Sequence, residues 1–387
     1  MFSRRTFREL ETNALTRALE TARARRGDVL DLTVSNPTRA TIPYDASTIL
    51  GALSDPQTLT YTPEPLGMAS ARCAIATELG SHGIVIDPSN ILLTASTSEA
   101  YAFLLKLLCD PGDEVLVPAP SYPLFDLLAA FESVRLVPYR LAYDGGWHVD
   151  LDSVRRAVTP STRAVFIVSP NNPTGSYLKK DELAALADLG LPLVSDEVFA
   201  DYPLDAPSTR VATALEQDQT LVFALGGLSK IAALPQMKLA WTCVGGPETL
   251  VRPALERLEL LGDSFLSAGT PVQVALPALL ASRNLAADAI RARIRSNLAT
   301  ARATIGPDSA ATVLNVEGGW YATLRVPEIK HDEAWAIELV SEDGVYVHPG
   351  HFFGFEGGAY LVLSLLTPEA AFGEGVRRIA HRVMMAE

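Results

Sequence analysis

The sequence predicts an α/β fold: a large domain on a mostly parallel seven-stranded sheet wrapped by helices, joined to a smaller α+β domain. Three observations carry this expectation. Short apolar runs alternate with helical patterns through the first two thirds of the chain. Several of those runs end abruptly on a polar residue. After Pro247 the pattern turns helical, and strand-like runs return only near the C-terminus. Alternating strands and helices build a sheet covered on both faces.

Taken in order, strands are expected near Ile91–Thr94, Glu114–Val117, Val134–Pro138, Ala164–Ser169, Pro192–Ser195, Thr220–Ala224 and Leu239–Val244. An amphipathic helix is expected over Ser98–Cys109, and a long one, rich in alanine and arginine, over Leu285–Ile305. The smaller domain is expected to contain strands at Gly319–Arg325, Val345–His348 and Tyr360–Leu365, closed by a helix from Pro368. The expected boundaries are 1–44 for an N-terminal segment packing on the small domain, 45–285 for the large domain and 286–387 for the small one.

Composition narrows the function. A chain of 387 residues, 48% hydrophobic, can bury a large core and suggests about two domains. Its formal charge of −13 argues against a nucleic acid partner. Cys73, Cys109 and Cys243 have no C-x-x-C spacing and read as buried thiols of a reducing compartment. His348 and His351 form the one close histidine pair and lack neighbouring carboxylate or cysteine ligands, so no metal site is expected. Ser3-Arg-Arg-Thr-Phe7 looks like an export signal, but a charged amphipathic helix over Arg8–Arg17 is expected after it instead of an apolar run. No run reaches the ~18 apolar residues of a membrane span. The expectation is a cytoplasmic protein without membrane contact.

Three polar groups stand at the ends of successive strands: Asn172 after Ala164–Val168, Asp196 after Leu191–Ser195, and Lys230 after Leu221–Gly227. In open α/β sheets ligands bind at that edge. Singly, each segment also reads as a turn, a helix cap or solvated surface; their order on three strands is what points to chemistry. A desolvated lysine amine can form a Schiff base with an aldehyde. A carboxylate can keep a pyridine nitrogen protonated, so that the ring accepts electrons released at a substrate's α-carbon. At ~4 Å and an effective dielectric near 20 that attraction is about 4 kcal/mol before costs, equivalent to roughly three pKa units. The cofactor these groups suit is pyridoxal 5'-phosphate.

The segments Ser169-Pro-Asn-Asn-Pro-Thr-Gly175, Asp196-Glu-Val-Phe199, Gly226-Gly-Leu-Ser-Lys230, Pro118-Ala-Pro-Ser-Tyr-Pro123 and Tyr61-Thr-Pro-Glu-Pro-Leu-Gly67 resemble the class I/II aminotransferases, of fold type I, from about Val29 to Arg382. The resemblance implies that Lys230 is the Schiff-base lysine and proton shuttle, Asp196 the partner of the pyridine nitrogen, and Asn172 the partner of the phenolic oxygen. It makes Tyr122 the residue stacked on the ring. Thr97 and Ser98, at a helix N-terminus where free amides favour a phosphate, would be joined by Ser229 and Lys238. Tyr61 would reach the phosphate of the neighbouring subunit, which implies a homodimer with shared active sites.

Four departures from the family pattern stand out. Lys238 occupies the place of an arginine, replacing a bidentate fork by a point charge. Gly227 takes that of a phosphate-binding serine, Phe199 that of a tyrosine, and Val362 that of the arginine that clamps the substrate's α-carboxylate. Arg39, in the loop beginning at Asn36, and Arg325 are candidate replacements for that clamp, with Asn36 itself on the substrate side. The reading is an aminotransferase working by a ping-pong mechanism on an α-amino acid and a 2-oxo acid. The alternatives are a lyase performing β- or γ-elimination, or a decarboxylase, on the same fold, and a non-catalytic ligand-binding module. Neither the amino donor nor the acceptor is identified, nor whether Phe199 and Lys238 change the reaction type.

Overall fold

Uninterrupted apolar runs become the strands of the central sheet because a parallel strand is buried on both faces and needs no polar alternation. The computed structural model describes residues 2–6 and 12–386. In chain order the central strands are β1 (Ile91–Thr94), β2 (Glu114–Ala119), β3 (Arg135–Tyr143), β4 (Trp147–Val149), β5 (Thr162–Val168), β6 (Leu193–Asp196), β7 (Val222–Gly227) and β8 (Ala240–Gly245). They lie side by side in the order β1-β8-β7-β6-β5-β2-β3-β4. Pairings from β7 through β3 are parallel, and β8 runs antiparallel to both its neighbours. The seven expected strands are present. The eighth, β4, is a three-residue strand folded back antiparallel on β3 at the sheet edge, too short to register as a period-2 pattern.

A second, antiparallel sheet has the order β9 (Thr312–Val313), β10 (Tyr321–Val326), β12 (Ala359–Ser364), β11 (His348–Pro349). Leu324, Leu361 and Leu363 on one of its faces join a core with Ile290, Ile294 and Leu298 of the Asn284–Thr304 helix and Phe372, Val376 and Ile379 of the Glu369–Met384 helix. The N-terminal segment enters the same core through Leu15, Leu19 and Leu32, and Leu30–Asp31 pairs in parallel with Val345–Tyr346. The first α-helix spans Ala14–Arg26, with the Asn13 side chain accepting from the Thr16 N–H at 2.7 Å. Of the helix expected over Arg8–Arg17, residues 8–11 lie outside the described residues.

The cysteines differ from expectation. Cys243 is buried, Cys109 half-buried and Cys73 exposed. Cys73 sits two residues from both Ala71 and Ile75, the buried positions of its helix, so the helical period turns it outward.

Candidate active site

Four strands and one helix deliver polar groups to a single pocket of about 300 Å³. β5 ends at Val168 and hands over to the turn carrying Asn172; β6 ends on Asp196. β7 ends at Gly227, and one helical turn, Leu228–Ile231, then carries Ser229 and Lys230. Lys238 stands just before β8. The Thr97–Leu108 helix starts at the same rim; the Ser96 hydroxyl caps it by accepting from the Glu99 N–H at 3.2 Å, and Thr97 and Ser98 line the pocket. Tyr122 lines it too. Eight of the nine residues expected around the cofactor thus come together.

Local geometry explains their placement. In the Asn172 turn, the Asn171 side chain accepts from the Thr174 hydroxyl at 3.0 Å and donates to Ser121 at 3.3 Å. Gly175 closes the turn at φ +72°, and a Cβ there would fall 2.7 Å from the Gly318 carbonyl oxygen. Only glycine meets both conditions. Gly227, paired with Ala240 across β7 and β8, leaves 3.2 Å between an added Cβ and the Ala240 Cβ, so a serine would crowd its neighbour. Lys238 adopts the left-handed conformation, φ 54° and ψ 55°, uncommon for a side-chain-bearing residue.

The Lys230 amine lies 5.0 Å from the centroid of the Trp320 ring and 5.4 Å from that of Phe199. Ring faces and the Asp196 charge both favour an ammonium. Burial opposes them and wins, lowering the amine to about 8. Asp196 is also pushed up by burial, against the pull of the Val198 N–H and the Tyr101 hydroxyl, each donating to it at 3.1 Å. A buried carboxylate of this kind calls for a cationic partner. No described group partners the Asn172 Oδ1; with the oxygen and nitrogen of its terminal amide exchanged, the same side chain would present N–H donors to a ligand oxygen. A carboxylate on one wall, an amine held close to neutrality, an unpaired amide, and hydroxyls with a lysine at a helix N-terminus together fit the ring, aldehyde and phosphate of pyridoxal phosphate.

Four expected site residues lie elsewhere. Tyr61 is 71% exposed and lines a separate cleft with Phe103 and Leu266. Asn36 is exposed and caps its own turn, accepting from the Thr38 N–H at 3.0 Å; Arg39 ends that turn, also exposed, and Ser35 is the residue of this loop that lines the pocket. Arg325 is exposed on β10. It shares a face with the pocket-lining Tyr321 but stands roughly 13 Å farther along the strand. Val362 is 1% exposed, in register with Thr323 on one side and His348 on the other. Among the described residues the cations lining the pocket are Lys230 and Lys238.

Sequence reasoning missed Tyr101, Ser35, Tyr321 and Trp320. Tyr101 and Tyr321 are brought in by tertiary packing.

Comparison with known proteins follows the same lines. Glutamate-pyruvate aminotransferase AlaA of Escherichia coli (strain K12) is 29% identical over 259 residues, 65% of this chain and 63% of that protein. Nicotianamine aminotransferase B of Hordeum vulgare is 27% identical over 312 residues, 76% of this chain and 56% of that protein. The chain thus spans less than two thirds of the length of either of these relatives. Among solved structures, alanine aminotransferase from Pyrococcus furiosus superposes with a TM-score of 0.88 at 23% identity, covering 100% of both chains, a likeness of fold. A single mutant of Thermus thermophilus aspartate aminotransferase does so with 0.83 at 26% identity, over 98% of this chain and 99% of that one. The family profile "Aminotransferase class I and II" matches residues 27–376, nearly the whole chain, and the chain belongs to that family.

Proposed function

We propose that this chain moves an amino group between an α-amino acid and a 2-oxo acid, with pyridoxal 5'-phosphate held in the pocket described above. The observation that carries the reading is the convergence of Lys230, Asp196 and Asn172, from three successive strand ends, on one pocket beside a helix N-terminus. When bound, the cofactor supplies an aldehyde on an electron-accepting ring. Lys230 provides the amine that holds it and, once released by the incoming amino group, carries the proton away from the substrate's α-carbon. Asp196 stays ionised and holds a proton on the ring nitrogen. Asn172 donates to the phenolic oxygen, Tyr122 covers the ring face, and Thr97, Ser98, Ser229 and Lys238 hold the phosphate. Tyr321 and Ser35 form the substrate wall on the second sheet's side.

A homodimer with shared active sites belongs to the same reading: Leu59 and Tyr61 are exposed, do not line the pocket of their own chain, and suit a neighbouring copy. So do division at residues 44 and 285, and a cytoplasmic location, supported by three unpaired cysteines and by the absence of any single described helix long and apolar enough to cross a membrane. The test is a half-reaction screen. Individual amino acids added to the cofactor-loaded protein should convert its visible absorbance to that of the amine form, and a 2-oxo acid should restore it. Lys230→Ala should abolish turnover. Release of a 2-oxo acid without any need for a second one would replace the reading by a lyase.

A further inference from the structure

A second cavity, of about 490 Å³, lies behind the first. The ends of β6 and β7 divide the two, because consecutive residues on an extended chain face opposite ways: Asp196 lines the front pocket and Glu197 the rear one. Trp241 and Cys243, alternate residues of β8, share that rear wall; Tyr177 and Arg210 form another, and Arg295 of the Asn284–Thr304 helix stands exposed at the mouth. The size falls within the range of small-molecule sites, which combine apolar walls with a few polar groups.

Its polar groups have work left to do. Arg210 stacks over the Tyr177 ring at 4.7 Å, and its Nη1 is buried with no hydrogen-bond partner. Buried guanidinium donors seldom go unpaired, and the acceptor they match best is a carboxylate. Glu197 takes no part in the chemistry proposed above; it accepts from the Ala214 N–H at 2.8 Å, and burial raises it to about 7. A negative charge there repels a dianion such as phosphate more than a monoanion. Partly exposed Leu79, Leu215 and Ile231 give the cavity its apolar walls, while Trp241, 4% exposed, packs on Gly226, where an added Cβ would fall 2.5 Å from the indole nitrogen.

We infer that the rear cavity is a binding site for a small aromatic monocarboxylate, its ring lying among Leu79, Leu215 and Ile231 and its carboxylate meeting Arg210. This site is distinct from the pocket that holds the cofactor, and its occupant needs no amino group.

Calorimetric titration of the folded protein with 2-naphthoate tests the assignment. Binding should saturate at one molecule per chain and persist in the presence of a saturating amino donor. Arg210→Gln removes the guanidinium, and Ala212→Trp fills the mouth, where Ala212 lines the cavity. Each should weaken binding roughly tenfold or more while leaving the half-reaction with amino acids within about twofold. Ala212→Trp keeps the test decisive if the loss of Arg210 disturbs the fold. The inference fails if 2-naphthoate does not saturate, if both variants bind it as well as the parent, or if the amino donor displaces it.

Discussion

The Tyr101 hydroxyl donates to Asp196 Oδ2 at 3.1 Å, tying the Thr97–Leu108 helix to the tip of β6. One helix thus both starts at the rim of the pocket and steadies the carboxylate on its wall. The bond favours the ionised carboxyl, so removing it lets the Asp196 pKa climb farther above its usual value. In Tyr101→Phe the carboxylate should be lost at a higher pH as the solution is acidified, and the acid limb of the half-reaction rate should move up by about one pH unit. The maximal rate should fall roughly tenfold. A pH–rate profile that overlays the parent's would remove Tyr101 from the site.

Cofactor uptake should follow the state of the Lys230 amine. Only the neutral amine attacks an aldehyde, and burial lowers its pKa from 10.5 to about 8. Roughly one amine in ten is then neutral at pH 7, against fewer than one in a thousand for an exposed lysine. The rate at which cofactor-free protein gains visible absorbance should therefore rise about tenfold per unit below pH 8 and level off above it. The sign for stability is the same. Between pH 8 and 10.5 the unfolded chain holds the proton that the folded one has released, so this residue's contribution to folding becomes more favourable as pH rises through that window. A rise that continued to pH 10 would mean an unperturbed amine.

Gly175→Ala should destabilise the protein by about 2–4 kcal/mol, through the left-handed backbone and the close approach to the Gly318 carbonyl. Because Gly318 N–H also donates to the Gly175 oxygen at 2.9 Å, the strain is passed to the turn holding Asn172, and cofactor affinity should fall in parallel. Urea denaturation with and without cofactor separates the two effects.

The strands with polar ends were legible because a doubly buried strand advertises itself as an apolar run, and whatever follows it must emerge at the sheet edge. Asn172, Asp196 and Lys230 needed nothing more. Tyr101 and Tyr321 stayed hidden, since the first looks like one more core aromatic of an amphipathic helix and the second reaches the pocket only because β10 packs against the far side. Arg39 is suggested by its charge in a loop that resembles the family's substrate-side loop, and Arg325 by its charge after the run Gly319–Leu324. Their backbone settings, the end of a capped turn and the solvent end of a strand, keep them out.

Val362→Arg restores the family's usual residue at a position that is 1% exposed here, between Thr323 and His348. With no carboxylate paired beside it, the new charge should cost about 3 kcal/mol or more. The thermal midpoint should drop by several degrees without any gain in amino acid affinity. Thermal scans together with half-reaction titrations read both.

β8 runs against its neighbours, so the exit of β7 and the beginning of β8 fall on one rim, and Lys230 and Lys238 ride on a single hairpin of the central sheet. Ser35 and Tyr321 belong to the other side, where Leu32 N–H and carbonyl ties to Tyr346 and Ser364 fasten that loop to the second sheet. A hinge motion between the sheets would widen the gateway to the pocket while a cofactor held as proposed kept its contacts with Lys230 and Lys238. Loss of a cofactor held as proposed would instead require that hairpin to open.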